Sequence, residues 1–201
     1  MSNSLIRDIL KAFRTGKWER TDGGVRILGR LEPAGFLRAT LIGGPTFENE
    51  GPWSTGNHNM VVTEGLIYDL AVAMANGTKI AQWYVAPFKG SGAPQLTWTA
   101  ANFNSNAQEF TNYTEATRPA LVFPAEGAIT TATIENDNTA ITTIGSGGDL
   151  TLYGGGIRST SAKLNATGKL WGAVQFSAPR ANLVTGDALA WVYGLTAGNP
   201  A

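Results

Sequence analysis

Apolar and polar residues alternate with two different periods along this chain. In the first fourteen residues Leu5, Ile6, Ile9, Leu10 and Phe13 recur at helical spacing, and Arg7, Lys11 and Arg14 lie on the other side. Ser4 is a capping residue and Gly16 suits a left-handed stop, so the pattern predicts a short amphipathic helix. Such a helix either packs on its own domain or serves as an arm that docks on a neighbour. From Lys17 to Gly56 the breakers Asp22-Gly23-Gly24, Gly29, Pro33, Gly35, Gly43-Gly44-Pro45 and Gly51-Pro52 leave only two short extended runs, Val25 to Leu28 and Phe36 to Ile42. These runs are too interrupted for a core of their own and read as a surface crossing or as edge strands.

A second helix is expected from Thr63, its cap. Leu66, Ile67, Leu70 and Met74 form an apolar stripe, and Asn76-Gly77 ends it. Beyond it the period changes from helical to alternating. Ala81 to Phe88, Gln95 to Thr99, Ala120 to Phe123, Ala128 to Glu135, Ala140 to Ile144 and Leu150 to Tyr153 read as strands. Leu170, Val174 and Phe176 share one face of another, and Leu189, Trp191, Tyr193 and Leu195 alternate on the last. Short strands at near-regular spacing predict a mainly β protein, a β-sandwich rather than βαβ units. The expected division is an N-terminal arm and extended segment over 1–57 and a sandwich domain over 58–201.

Composition narrows the function classes. The chain has 201 residues, with Lys plus Arg and Asp plus Glu at 15 each, so its formal charge is zero. No excess of positive charge is present to displace phosphate counterions, and no nucleic-acid partner is expected. Charged residues are 15%, against about 25% in typical domains, which suits a surface covered by partners. Cysteine is absent, which excludes disulfides, thiolate nucleophiles and Cys-ligated metals. No apolar run reaches the ~20 residues that span a bilayer, so no membrane association is expected. Arg7 and Asp8 interrupt the N-terminal apolar stretch, which therefore reads as something other than a signal peptide. Asn76, Asn112 and Asn165 stand in glycosylation-type triplets, read here as turn asparagines.

Tests for catalytic chemistry fail one by one. The single histidine, His58, sits between Asn57 and Asn59 and reads as a turn residue. Gly154-Gly155-Gly156-Ile157-Arg158-Ser159 lacks the Gly-Lys-Ser/Thr ending of a phosphate loop, and Thr167-Gly168-Lys169-Leu170 lacks its upstream glycine. Both are read as hairpin turns or loops. Glu135-Asn136-Asp137-Asn138 lacks the ligand spacing of a calcium loop and reads as a tight turn. Trp53, Trp83, Trp98, Trp171 and Trp191, with Tyr84 and Tyr193, are candidate sugar-stacking residues, but alternating strand positions make most of them core or subunit contacts. The expectation is a protein without catalytic residues, metal or cofactor. Its partner-binding residues are expected to be Leu5, Ile9 and Phe13 in the arm and Trp53 beside Pro52.

From Asn59 onward four segments occur in a suggestive order. They are Asn59-Met60-Val61-Val62-Thr63-Glu64-Gly65-Leu66, Gln82-Trp83-Tyr84-Val85-Ala86-Pro87, the Tyr-x-Glu-x-x-Arg stretch within Phe110 to Pro119, and Val174 to Arg180 followed by Gly186-Asp187-Ala188-Leu189. In this order the chain resembles small structural proteins of tailed bacteriophages. The resemblance implies a virion component with a jelly-roll-like sandwich, most simply a capsid cement or decoration protein lying between major capsid subunits. A low-charge sandwich with many aromatics is also expected to self-associate, a homotrimer suiting the local threefold positions of a shell. A tail or fibre component, or a carbohydrate-binding or carbohydrate-cleaving virion protein, are the other readings. Glu115 and Arg118 are the candidates for an ion pair within this region, either beneath the sheet or exposed on the surface.

Overall fold

The computed structural model describes residues 18–21, 24–27, 32–41, 46–47, 60–125, 133–137, 140–146 and 151–198. The expected N-terminal helix, with Leu5, Ile9 and Phe13, lies outside them, as do Trp53 and His58. The chain divides into two compact units, residues 1–32 with 197–201, and residues 33–196.

In the first unit, β1 (Trp18–Thr21) pairs antiparallel with β2 (Gly24–Ile27), in register from Trp18 opposite Ile27 to Thr21 opposite Gly24. The strands bracket Asp22-Gly23, a dipeptide with a strong hairpin preference.

The second unit is mainly β, with two antiparallel sheets. Sheet one runs β5 (Met60–Val61), β11 (Leu170–Arg180), β10 (Leu152–Arg158), β6 (Trp83–Phe88) and β7 (Ala120–Leu121). Sheet two runs β4 (Thr46–Phe47), β3 (Glu32–Leu41), β12 (Ala188–Gly198) and β8 (Thr133–Glu135), with β9 (Ala140–Thr143) also on β12. The extended run around Phe36 is thus an inner strand, not an edge: β3 lies between β4 and β12 and buries Leu37 and Ala39. A strand drawn from a breaker-rich stretch holds its place because its alternate residues enter a core made by others.

That core is built from both sheets. Phe176 of β11 stacks on Trp191 of β12, centroids 6.2 Å apart, and Trp171 of β11 meets Tyr193 of β12 edge-on at 5.8 Å. On the other face of sheet one, Phe88, Trp98 and Phe103 meet edge-on at 6.1–6.3 Å, with Leu170, Ala86 and Ala173 beneath them. A short helix, α2 (Phe103–Ala107), carries Phe103 into this second cluster. Helical periodicity did not foretell it, because five residues are less than two turns. Gln95 to Thr99, expected as a strand, is a turn closed by the Trp98 amide donating to the Gln95 carbonyl at 3.0 Å.

Gly154-Gly155-Gly156 is also not a turn. It is the middle of β10, paired with β11 on one side and β6 on the other. A Cβ on Gly155 would run into Leu37 from sheet two, and one on Gly156 would run into the Phe103 ring. Both faces of this central strand are occupied by large side chains from elsewhere, and only glycine leaves them room. Gly168, by contrast, does lie in a loop with φ +82°, as expected of that segment.

The other helix, α1 (Thr63–Met74), begins one residue earlier than its expected cap implies. Val62 occupies the cap position with no side-chain bond, and Thr63 is the first helical residue. Its end is where Asn76-Gly77 places it: Asn76 has φ 55° and the Gly77 amide donates to the Ala71 carbonyl at 2.8 Å. Gly65 lies so close to the Trp171 carbonyl that a Cβ there would overlap it, which seats α1 on β11.

Candidate functional site

The Tyr-x-Glu-x-x-Arg segment forms a buried ionic centre, with a different partner from the one expected. Arg118 pairs with Glu109, not Glu115. Its Nε donates to Glu109 Oε1 at 2.7 Å and its Nη2 to Oε2 at 2.8 Å, and both side chains are fully enclosed. Arg118 Nη1 donates to the carbonyl and hydroxyl of Thr160, and the Leu164 amide donates to Glu109 at 2.8 Å. Glu115 instead accepts from the Thr143 amide at about the same range, 2.9–3.0 Å, tying the segment to β9. Tyr113 is capped by Lys163, whose Nζ sits 3.5 Å from the ring centroid and donates to the Tyr113 carbonyl. Burial, and the Glu109 charge after it, hold the Tyr113 hydroxyl well above its ordinary pKa. Arg158 lies over the Phe103 ring at 5.2 Å, and burial pulls its guanidinium down to about 10. With every strong polar group of the Glu109–Arg118 pair matched, the pair binds segments of the chain together.

Asn136 has a similar role. It is buried rather than part of a solvent turn: its Oδ1 accepts from the Tyr193 amide at 2.6 Å and its Nδ2 donates to the Trp191 carbonyl at 3.3 Å. Among the described residues no group of three His, Asp or Glu side chains converges to hold a metal, and no helix is long and apolar enough to cross a membrane.

Among the described residues a cleft of about 420 Å³ lies between α1, β6 and the ends of both sheets. Its walls are aromatic. Tyr68 and Trp83 meet at 80° with centroids 5.4 Å apart, Trp171 and Tyr193 at 74°, and Phe123 and Tyr193 at 81°. Leu121, Ile134, Ile157 and Leu195 close the apolar interior. Three polar side chains line it: Asp69, Lys79 and Gln82. Both Asp69 oxygens accept from Trp171 Nε1 at 2.9 Å. Burial raises the Asp69 pKa and outweighs the lowering effect of that indole bond. Gln82 Nε2 donates to the Trp83 and Leu121 carbonyls at 2.9 and 2.7 Å, which fixes the amide's orientation. The Tyr68 hydroxyl accepts from the Ile80 amide at 2.8 Å.

Sequence reasoning named Trp83 and Tyr193 among candidate aromatics but missed Asp69 and Gln82. The available signal was Asp69 itself, a carboxylate three residues after Leu66 in the apolar-rich middle of the helix. The other aromatics named from sequence divide clearly. Trp98, Trp171, Trp191 and Tyr193 are buried, while Trp83 is half-buried at the cleft.

The stripe expected on α1 splits as well. Leu66 packs against the core, but Ile67, Leu70 and Met74 are 61%, 64% and 82% exposed. The contact of Gly65 with the Trp171 carbonyl turns Gly65 and Leu66 inward and leaves the i, i+3, i+7 row facing solvent.

No protein-family model, curated protein or solved structure matches the chain.

Proposed function

We propose that this is a structural virion protein of a tailed bacteriophage, a cement or decoration protein that binds between major capsid subunits and acts through contact rather than catalysis. The observation that carries this reading is the outer row of α1. Three large aliphatic side chains stand in solvent on a helix anchored through its other face, and soluble proteins seldom leave such rows uncovered. Burying each on a partner contributes about 1.5–3 kcal/mol before ordering costs. The ordered motif resemblance supplies the kind of partner, and the low charge of the chain suits a surface designed to be covered. We read the two sheets as a β-sandwich of jelly-roll-like type. Cross-sheet contacts such as Phe176 on Trp191 support the sandwich. The arm residues Leu5, Ile9 and Phe13, with Trp53, are further partner-binding residues in this reading, and a homotrimer is its favoured assembly.

Co-sedimentation with undecorated capsid shells tests the proposal. The intact chain is expected to pellet with shells, and the Ile67→Asp/Leu70→Asp variant is expected to stay in the supernatant while melting like the parent. Pelleting with purified tails instead of shells would move the protein to the tail. Binding to neither would refute a virion role.

A further inference from the structure

The cleft beside α1 has a chemistry that contact with a capsid does not use. Its rings pack edge to face at 74–81°, so they offer no single flat platform. A sugar stacks on one open flat face, whereas a positive charge is attracted by whichever ring face it reaches. The polar inventory points the same way. Both Gln82 amide hydrogens are spent on backbone carbonyls, leaving its Oε1 as the group offered to the cleft. Among the described residues Asp69 accepts only from the Trp171 indole, and a carboxylate has acceptor capacity beyond that. Its charge is half-buried and lacks a cationic partner among the described residues. Lys79 also lines the cleft, but it is exposed, so water and salt screen it far more than they screen Asp69.

We propose that this cleft is a binding site for an organic cation, an alkyl- or arylammonium head on an apolar body, with the head against Asp69 and the Trp83–Tyr68 walls and the body in the aliphatic interior. The site is independent of shell binding and does not rest on it. A partner side chain bearing an alkylated ammonium and a free small molecule share this chemistry.

Titration of the full chain with benzyltrimethylammonium, followed by tryptophan fluorescence, tests the site. Benzyl alcohol serves as the uncharged aromatic and methyl glucoside as the sugar. Saturable binding of the cation is expected, with benzyl alcohol at least about tenfold weaker. Asp69→Asn keeps an acceptor for the Trp171 indole and is expected to weaken cation binding roughly tenfold without changing benzyl alcohol binding. Lys79→Gln, at an exposed position where folding is not at stake, is expected to strengthen cation binding about threefold. A free bearer and a tethered one are separated by repeating the titration with a trimethyllysine peptide, tighter binding of the peptide identifying a protein partner. The proposal is overturned if the cation does not saturate, if benzyl alcohol binds equally well, if the glucoside is preferred, or if neither charge variant moves the affinity.

Discussion

Two carboxylates in this protein, Glu109 and Asp69, are drawn out of solvent, and they meet opposite fates. Glu109 is sealed: a bidentate arginine and a backbone amide satisfy it, and no solvent reaches either member of the pair. Asp69 has one indole donor, a desolvated environment and an open side. The comparison separates burial from satisfaction. A buried charge with all its partners present is part of the framework, because any change leaves an uncompensated ion behind. A half-buried charge with one partner is held at a cost, and that cost is recovered when a ligand supplies the missing one.

The largest test breaks the sealed pair. Arg118→Ala leaves Glu109 enclosed without its counter-ion and is expected to destabilise the protein by about 3–5 kcal/mol, visible as a drop of roughly 10 °C in melting temperature. Replacing both members, Glu109→Leu with Arg118→Met, is expected to recover a large part of that loss, since the penalty comes from the orphaned charge. A double variant no better than Arg118→Ala would mean that the bonds to Thr160 and Leu164, not charge pairing, dominate the centre.

A middle-sized effect is expected at the open carboxylate. Trp171→Phe removes the indole donor to Asp69 and part of a buried ring, costing about 2 kcal/mol in denaturant titrations. It should also raise the Asp69 pKa further, because the indole bond is what now pulls it down. Carboxyl chemical shifts of Asp69 against pH would read that change.

Asp69→Asn should do the reverse on a smaller scale. The Asp69 pKa is raised in the folded state, so between the unfolded value near 3.9 and the folded value the native protein holds the extra proton, and stability falls as pH rises. The destabilisation is complete above the folded pKa and absent below the unfolded one. The asparagine variant is therefore expected to melt slightly higher than the parent at neutral pH, by no more than a few degrees, and to lose that advantage below about pH 4. An advantage that persists at acid pH would show that charge is not the cause.

The smallest stability effect is expected outside both sites. Deletion of residues 1–16 should leave the melting temperature of the remainder within about 2 °C of the full chain while removing shell binding. A truncated chain that unfolds would assign residues 1–16 to the core of the protein.

Much of the secondary structure was legible because it is written in short-range periodicity. The alternation of Leu189, Trp191 and Tyr193 corresponds to β12, with all three buried, and the apolar run from Leu66 with the Asn76-Gly77 stop corresponds to α1. Failures occurred where local propensity pointed one way and packing the other. Three successive glycines have the composition of a loop, yet β10 needs them because Leu37 and Phe103 fill the space on its two faces. Leu96 and Trp98 alternate like strand residues, but Trp98 is drawn into the Phe88–Phe103 cluster by a turn.

The candidate site was legible only in its ingredients. Tryptophans, tyrosines and an intrahelical aspartate are visible in the chain, but nothing local says that Asp69 meets the indole of Trp171, one hundred and two residues away. The same holds for Arg118, whose nearest acidic neighbour in sequence, Glu115, is claimed by the Thr143 amide while Glu109 takes the guanidinium.

Sequence by itself determined the β-rich class, the span of the main helix and the absence of cysteine chemistry, because composition and periods of two and 3.6 residues are properties of neighbouring positions. Tertiary structure alone decided which face of α1 turns outward, which carboxylate is sealed and where the open cleft lies. Those outcomes depend on which strands become neighbours, and the contact of Gly65 with the Trp171 carbonyl exists only after β11 has taken its place in the sheet.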